Sequence, residues 1–235
     1  MRKIILIDMD ETLGTFTEIS VFLGALTDLC QGLDYTTEFF KAMEVFTCFQ
    51  RPRIIELLKY MVNLRKMNTI SDIVLYTNNQ GSNEWVKLIA SFFDTKVGSR
   101  VFDDIIFSYM IGNTINDSRR TTQYKVLPDV YRALRINSPT RFLFIDDQLH
   151  SGMLTKDVTY LRIEPYIYHM NFSHMAKLYH DTYIIDGINA KEFVTSMIFL
   201  MSRRRYSVWD NNRSHDKYLR LSNKIMEQIV SFSRM

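Results

Sequence analysis

Three short apolar runs punctuate the chain, and each ends in polar side chains. Ile4-Ile5-Leu6-Ile7 runs into Asp8-Met9-Asp10-Glu11-Thr12, Ile73-Val74-Leu75-Tyr76 into Thr77-Asn78, and Phe142-Leu143-Phe144-Ile145 into Asp146-Asp147. Four apolar residues without polar alternation predict a strand buried on both faces, as in parallel sheets covered by helices. Between these runs, apolar residues recur at helical spacing. The pattern predicts helices over about Glu18 to Leu29, Thr37 to Cys48, Pro52 to Met67 and Glu84 to Phe93, the last ending near Asp94, and a helix opening at Pro128-Asp129. Ile105-Ile106-Phe107 reads as a further strand, and the polar stretch Asn113 to Gln123 as a loop. Strands alternating with helices predict an α/β class, with a doubly wound, mostly parallel sheet flanked by helices.

The polar ends of these strands carry the candidate chemistry, because open α/β sheets bind ligands beyond the carboxyl ends of their strands. Asp8 and Asp10 are two carboxylates two positions apart at such an end. They repel each other unless a cation or a proton is shared between them, so the pair calls for a metal. Nothing in folding asks for two carboxylates at the end of a buried strand.

Asp8-x-Asp10-x-Thr12, Thr77-Asn78, Lys125 and Asp146-Asp147 stand in that order, and together they resemble the haloacid dehalogenase-like superfamily of phosphoryl-transfer enzymes. The form Asp8-x-Asp10-Glu11-Thr12-Leu13, with Arg51-Pro52-Arg53-Ile54-Ile55-Glu56-Leu57-Leu58, is similar to the RNA polymerase II C-terminal-domain phosphatases and their NLI-interacting-factor and Dullard-like relatives. The resemblance covers roughly residues 1 to 165. Two departures stand out. The family usually follows its Thr with Ala-Ser, where this chain has Asn78-Asn79-Gln80-Gly81, and Asp147 stands where those phosphatases often carry Asn.

The resemblance implies a Mg²⁺-dependent phosphatase that forms an aspartyl-phosphate. Asp8 would be the nucleophile and Asp10 the general acid and base, a carboxylate absent from the superfamily's dehalogenases and replaced by Thr in its transport ATPases. Thr77, helped by the backbone N–H of Asn78, would bind a phosphate oxygen. Lys125 would balance charge, although Arg119 or Arg120 could supply it instead. The Mg²⁺ ligands would be Asp8, the backbone carbonyl of Asp10 and Asp146, with Asp147 orienting a metal-bound water. The substrate class implied is phosphoserine or phosphothreonine in protein. A phosphatase of a small metabolite, a nucleotide or a nucleic-acid 3′-phosphate end is the alternative. A non-catalytic binding module is a third reading, against which the intact Asp8, Asp10 and Asp146 argue.

With 235 residues and 46% hydrophobic content the chain can bury a full core. The expected organisation is one domain over 1–235, with 17–50 as a small helical cap insertion and 166–235 as a helical, basic C-terminal extension. The insertion reads as helical where the family's is largely extended. Residues 203–235 hold eight Lys/Arg against three Asp/Glu, a basic face that could meet nucleic acid or a phosphorylated partner. Only Cys30 and Cys48 are present, which excludes a disulfide framework or thiolate metal site. His169, His174 and His180 fit no helical zinc pair, and Asp103-Asp104 reads as a turn. No signal peptide or membrane span is read, so an intracellular, cytoplasmic or nuclear place is expected. The abundance of Met, Tyr, Ile and Asn suits an A+T-rich coding genome such as that of a large DNA virus.

Overall fold

A computed structural model describes residues 1–183, 185, 187–204 and 214–235. Five parallel strands form the central sheet: β1 (Arg2–Ile7), β2 (Asp72–Tyr76), β3 (Asp104–Ile106), β6 (Thr140–Asp146) and β7 (Val158–Arg162), in the order β3-β2-β1-β6-β7. The chain winds from β1 outward to β2 and β3, then returns to lay β6 against the other side of β1. The direction of winding therefore reverses between β1 and β6, and at such a switch point the connecting loops part to leave a crevice. Registers of Ile7 with Ile145 and of Ile7 with Leu75 bring the ends of β1, β2 and β6 level.

The apolar runs behave as their lack of alternation requires. Ile4 to Ile7 and Phe142 to Ile145 are all buried. Ile4, Leu6, Val74, Phe142 and Phe144 form one core with Leu127 and Val130 of helix α5 (Leu127–Ala133). Helix α3 (Ile54–Lys66) packs on β2, and helix α8 (His215–Arg234) packs on α3 and β7. The result is a doubly wound, Rossmann-like α/β fold.

Boundaries differ from the sequence reading where single residues intervene. Helix α3 begins at Ile54, not Pro52, because Arg53 adopts a left-handed backbone (φ 63°). Helix α4 (Asn83–Val97) runs four residues past Phe93 until Gly98, at φ 80°, ends it in the left-handed conformation that favours glycine. A hairpin of two-residue strands, β4 (Met110–Ile111) and β5 (Thr114–Ile115), turns at Gly112 and overlaps the expected loop.

The chain divides into two compact units. The sheet unit comprises Met1–Leu13, Arg51–Tyr166 and His215–Met235. The second unit, Gly14–Gln50 with Ile167–Ser214, is helical and holds α1 (Thr17–Leu29), α2 (Tyr35–Val45), α6 (Phe172–Thr182) and α7 (Ala190–Ser202). Sequence reading treats 17–50 as an insertion by itself and 166–235 as one extension. In the structure the apolar faces of α1 and α2 are matched by α7 and α6, while α8 belongs to the sheet unit. Within the helical unit Phe22 packs on Phe46 and Tyr179 at 5.1 and 4.9 Å between ring centres. Buried Glu18 takes His169 Nδ1 at 2.5 Å and the Met170 N–H at 2.9 Å.

Candidate active site

The levelled strand ends place Asp8, after β1, beside Asp146, the last residue of β6, with the Asp8 N–H donating to Ile145 O at 2.9 Å. Both carboxylates are buried, and Asp147 is half-buried. Asp8, Asp146 and Asp147 each offer a carboxylate oxygen, all within 4.8 Å of one another, so they could hold a metal ion. Three carboxylate oxygens make a hard donor set, which suits a hard divalent cation. No other such group of three occurs among the described residues. The side chain of Asp10 is outside this set.

Lys125 lies in the middle of the cluster. Its Nζ donates to Asp8 Oδ1 at 2.5 Å and to Asp146 Oδ2 at 2.7 Å. Burial disfavours its charge, but the two carboxylates outweigh that and hold the ammonium above the ordinary lysine value. Burial pushes Asp8 up to about 8, assisted by Asp146 and Asp10 and opposed by Lys125. Asp146 shifts the other way. Burial would raise it, yet Lys125 and His150, whose Nε2 is 3.3 Å from Asp146 Oδ2, hold it below the usual carboxylate range. One ammonium thus faces two carboxylates, with Asp146 held low and burial keeping Asp8 well above the ordinary carboxylate range.

Asp10 is half-buried, and burial raises its carboxyl against the opposing Asn79 and Lys125. Asn79 Nδ2 donates to Asp10 Oδ2 at 2.8 Å. Next to it, Glu11 adopts φ 53° and is pushed up to about 7 by burial, then by Asp10 and Asp147. A non-glycine residue in that backbone region carries strain that its surroundings must hold. Here the holder is Arg51, a buried guanidinium whose Nη2 donates to Glu11 O at 2.7 Å and Nε to Thr12 O at 2.6 Å. The Arg51-Pro52 signal therefore marks an anchor for the loop that carries Asp8 and Asp10.

Thr77 follows β2, buried, with its N–H on Ile106 O at 3.0 Å. Its Oγ1 accepts from the Asn79 N–H at 2.9 Å, which leaves the hydroxyl proton available to an incoming acceptor. Asn78 Oδ1 accepts from Arg120 Nη1 at 2.7 Å. Neither arginine that sequence reading kept open reaches the carboxylates as Lys125 does. Arg119 pairs with Asp117 at 2.8 Å and Asp104 at 2.9 Å. Arg120 is buried and binds carbonyls, those of Phe107, Gln123 and Tyr124 at 3.0, 3.1 and 2.9 Å.

These Arg120 bonds explain how Lys125 is placed, because residues 123–126 lie outside any helix or strand. Arg120 takes the carbonyls, and Tyr76 Oη accepts the Val126 N–H at 3.1 Å. On the other side, a Cβ at Gly152 would lie 2.5 Å from Val126 Cγ1, so glycine permits the close approach. The roles of Asn79, Tyr76 and His150 escape the sequence reading, and Arg120, weighed there as a source of charge, is found instead on backbone carbonyls. The available signals are slight: His150 follows Asp146 by four residues, and Asn79 follows Thr77 by two.

The remaining sequence candidates lie elsewhere. Asp103 lies in a bend ahead of β3, which Asp104 begins, and ties it to Arg65 of α3 at 2.6 Å and to the Ile73 N–H of β2 at 2.9 Å. In the basic segment, Lys217 pairs with Glu164 at 2.7 Å and Arg204 with Asp28 at 2.7 Å, while Arg205 and Arg213 lie outside the described residues. No described helix is long and apolar enough to cross a membrane. No protein-family model, curated protein or solved structure matches this chain.

Proposed function

We propose that the protein is a Mg²⁺-dependent phosphoric monoester hydrolase that works through an aspartyl-phosphate on Asp8. The observation that carries this reading is the convergence of Asp8, Asp146 and Asp147 with the ammonium of Lys125 at the switch point of the sheet. Mg²⁺ held by these carboxylates would supply charge neutralisation and a fixed orientation to the phosphate.

The chain's own residues then divide the work. Asp8 attacks phosphorus, a covalent route that splits one difficult displacement into two easier ones. Asp10 protonates the departing ester oxygen and later takes a proton from the hydrolytic water, and burial raises its carboxyl in the direction that favours an acid. Lys125 is already on Asp8, so it can follow charge from the carboxylate to the transferring phosphoryl group. The Thr77 hydroxyl and the Asn78 N–H bind a phosphate oxygen.

The substrate class proposed is phosphoserine or phosphothreonine in protein, supported by the motif Asp8 to Leu13 together with Arg51-Pro52. A panel of phosphopeptides, nucleotides, 3′-phosphorylated DNA and sugar phosphates, assayed with Mg²⁺, tests it. Selective turnover of phosphopeptides is the expected outcome, and selectivity for a nucleotide or DNA end would replace this substrate class.

A further inference from the structure

The segment after Thr77, Asn78-Asn79-Gln80-Gly81, is where this chain leaves the pattern it otherwise resembles. The structure gives that departure a shape. Asn79 makes three hydrogen bonds: its Nδ2 donates to Asp10 Oδ2 at 2.8 Å, its Oδ1 accepts from the Gly81 N–H at 2.8 Å, and its backbone N–H donates to Thr77 Oγ1 at 2.9 Å. The orientation of the amide is determined by these partners. A backbone N–H can only donate, so the atom facing Gly81 is the oxygen and the NH₂ group faces Asp10. Gly81 is part of the device, because a Cβ there would lie 2.8 Å from Asn79 Oδ1 and 3.2 Å from the Trp85 ring.

We infer that Asn79 is a positioning residue for the general acid and base, fixing Asp10 so that one oxygen is occupied and the other carries the transferable proton. This rests on the phosphatase reading of Asp10. With Oδ2 engaged by the amide, the proton of the neutral acid sits on Oδ1. In the first step an Asp8 oxygen forms a bond to phosphorus and the ester P–O bond breaks. The leaving oxygen takes the Oδ1 proton and departs as an alcohol, leaving Asp10 as a carboxylate. In the second step water bonds to phosphorus while its proton passes to Asp10, the bond from phosphorus to Asp8 breaks, and inorganic phosphate leaves.

Asn79 favours the first proton transfer because hydrogen bonds to an ionised group are stronger than those to its neutral form. Its bond to Oδ2 strengthens as Asp10 gives up its proton. The benefit grows with the basicity of the leaving oxygen, since a stable phenolate such as p-nitrophenolate needs little protonation and an alkoxide needs it fully. A residue that only supports the loop would affect all esters alike.

The test measures kcat/KM with Mg²⁺ for p-nitrophenyl, phenyl and alkyl phosphates in the wild type and in Asn79→Ala, Asn79→Asp and Gly81→Ala. Asn79→Asp keeps an acceptor for Gly81 and removes the donor to Asp10. Both Asn79 variants should lose about tenfold more on the alkyl ester than on the p-nitrophenyl ester. Gly81→Ala should move the same ratio in the same direction by less. An equal loss on all three esters, or no loss, would overturn the assignment of Asn79 and leave the phosphatase reading standing. A wild-type protein that hydrolyses none of the esters would remove the phosphatase reading, and this inference with it.

Discussion

Lys125 Nζ and Asp8 Oδ1 lie 2.5 Å apart in a buried site, and the same ammonium reaches Asp146 at 2.7 Å. The lysine is the counter-ion that lets two carboxylates share the end of the sheet. Removing one partner of a buried ion pair costs about 3–5 kcal/mol, because the other charge is left uncompensated. Lys125→Met should therefore lower thermal stability as well as activity. Mg²⁺ should raise the melting temperature of the variant more than that of the wild type, since a bound cation replaces the missing charge. Equal Mg²⁺ effects on both proteins would show that the lysine and the cation do not serve the same carboxylates.

Metal binding should be coupled to proton release. Asp8 is raised to about 8, so the folded, metal-free chain keeps a proton there that the unfolded chain has already released above its ordinary carboxylate value of 3.8. The sign follows: between about pH 4 and 8, metal-free stability falls as pH rises. A cation on Asp8 must expel that proton, so Mg²⁺ affinity should climb by up to about tenfold per pH unit in that window and level off above it. Calorimetry in buffers of different ionisation enthalpy counts the protons. Affinity independent of pH between 6 and about 8 would contradict the placement of the cation on Asp8.

Asp146→Ala should weaken Mg²⁺ binding more than it harms folding, since the substitution removes a ligand oxygen together with a partner of Lys125. Magnesium titration followed by intrinsic fluorescence, with a thermal melt alongside, separates the two effects. Unchanged Mg²⁺ affinity would remove Asp146 from the ligand set.

Tyr76→Phe deletes only the acceptor for the Val126 N–H, and Arg120→Ala strips a charged donor from the Gln123 and Tyr124 carbonyls. The first should cost about 1 kcal/mol of stability and the second about 2–3 kcal/mol. Both should reduce kcat, because both loosen the segment that aims Lys125. Denaturant unfolding and steady-state kinetics on the same preparations check the pairing of the two losses.

Legibility in the sequence followed from how strongly each residue constrains its neighbours. The strands β1, β2 and β6 could be read because a sheet covered on both faces demands unbroken apolar runs. Strand β7, Val158 to Arg162, escaped because its residues are only partly buried and show no such run. The matching of α1 with α7 and α2 with α6 escaped for another reason: an amphipathic face shows that a helix is covered, and not by what. At the site, Asp8, Asp10 and Asp146 were legible because carboxylates at the ends of buried strands need an explanation, and Lys125 only through the resemblance that the order of motifs carries. The role of Asn79 was not, and Arg120 was weighed for the wrong one, since an amide and a guanidinium in polar loops look the same whether they face solvent, a carboxylate or backbone carbonyls.

The most direct test of the central claim is the mass of the protein after one turnover. Asp10→Asn should be loaded with p-nitrophenyl phosphate and Mg²⁺, quenched, and mapped by peptide mass spectrometry. The good leaving group makes acid assistance dispensable in the first step, while loss of the base stalls the second. A phosphoryl group on the Asp8 peptide, absent without Mg²⁺ and absent when Asp8 is also changed to Asn, is the predicted result. Turnover that proceeds in the Asp8→Asn protein, or a phosphoryl group recovered on any other residue, would contradict it.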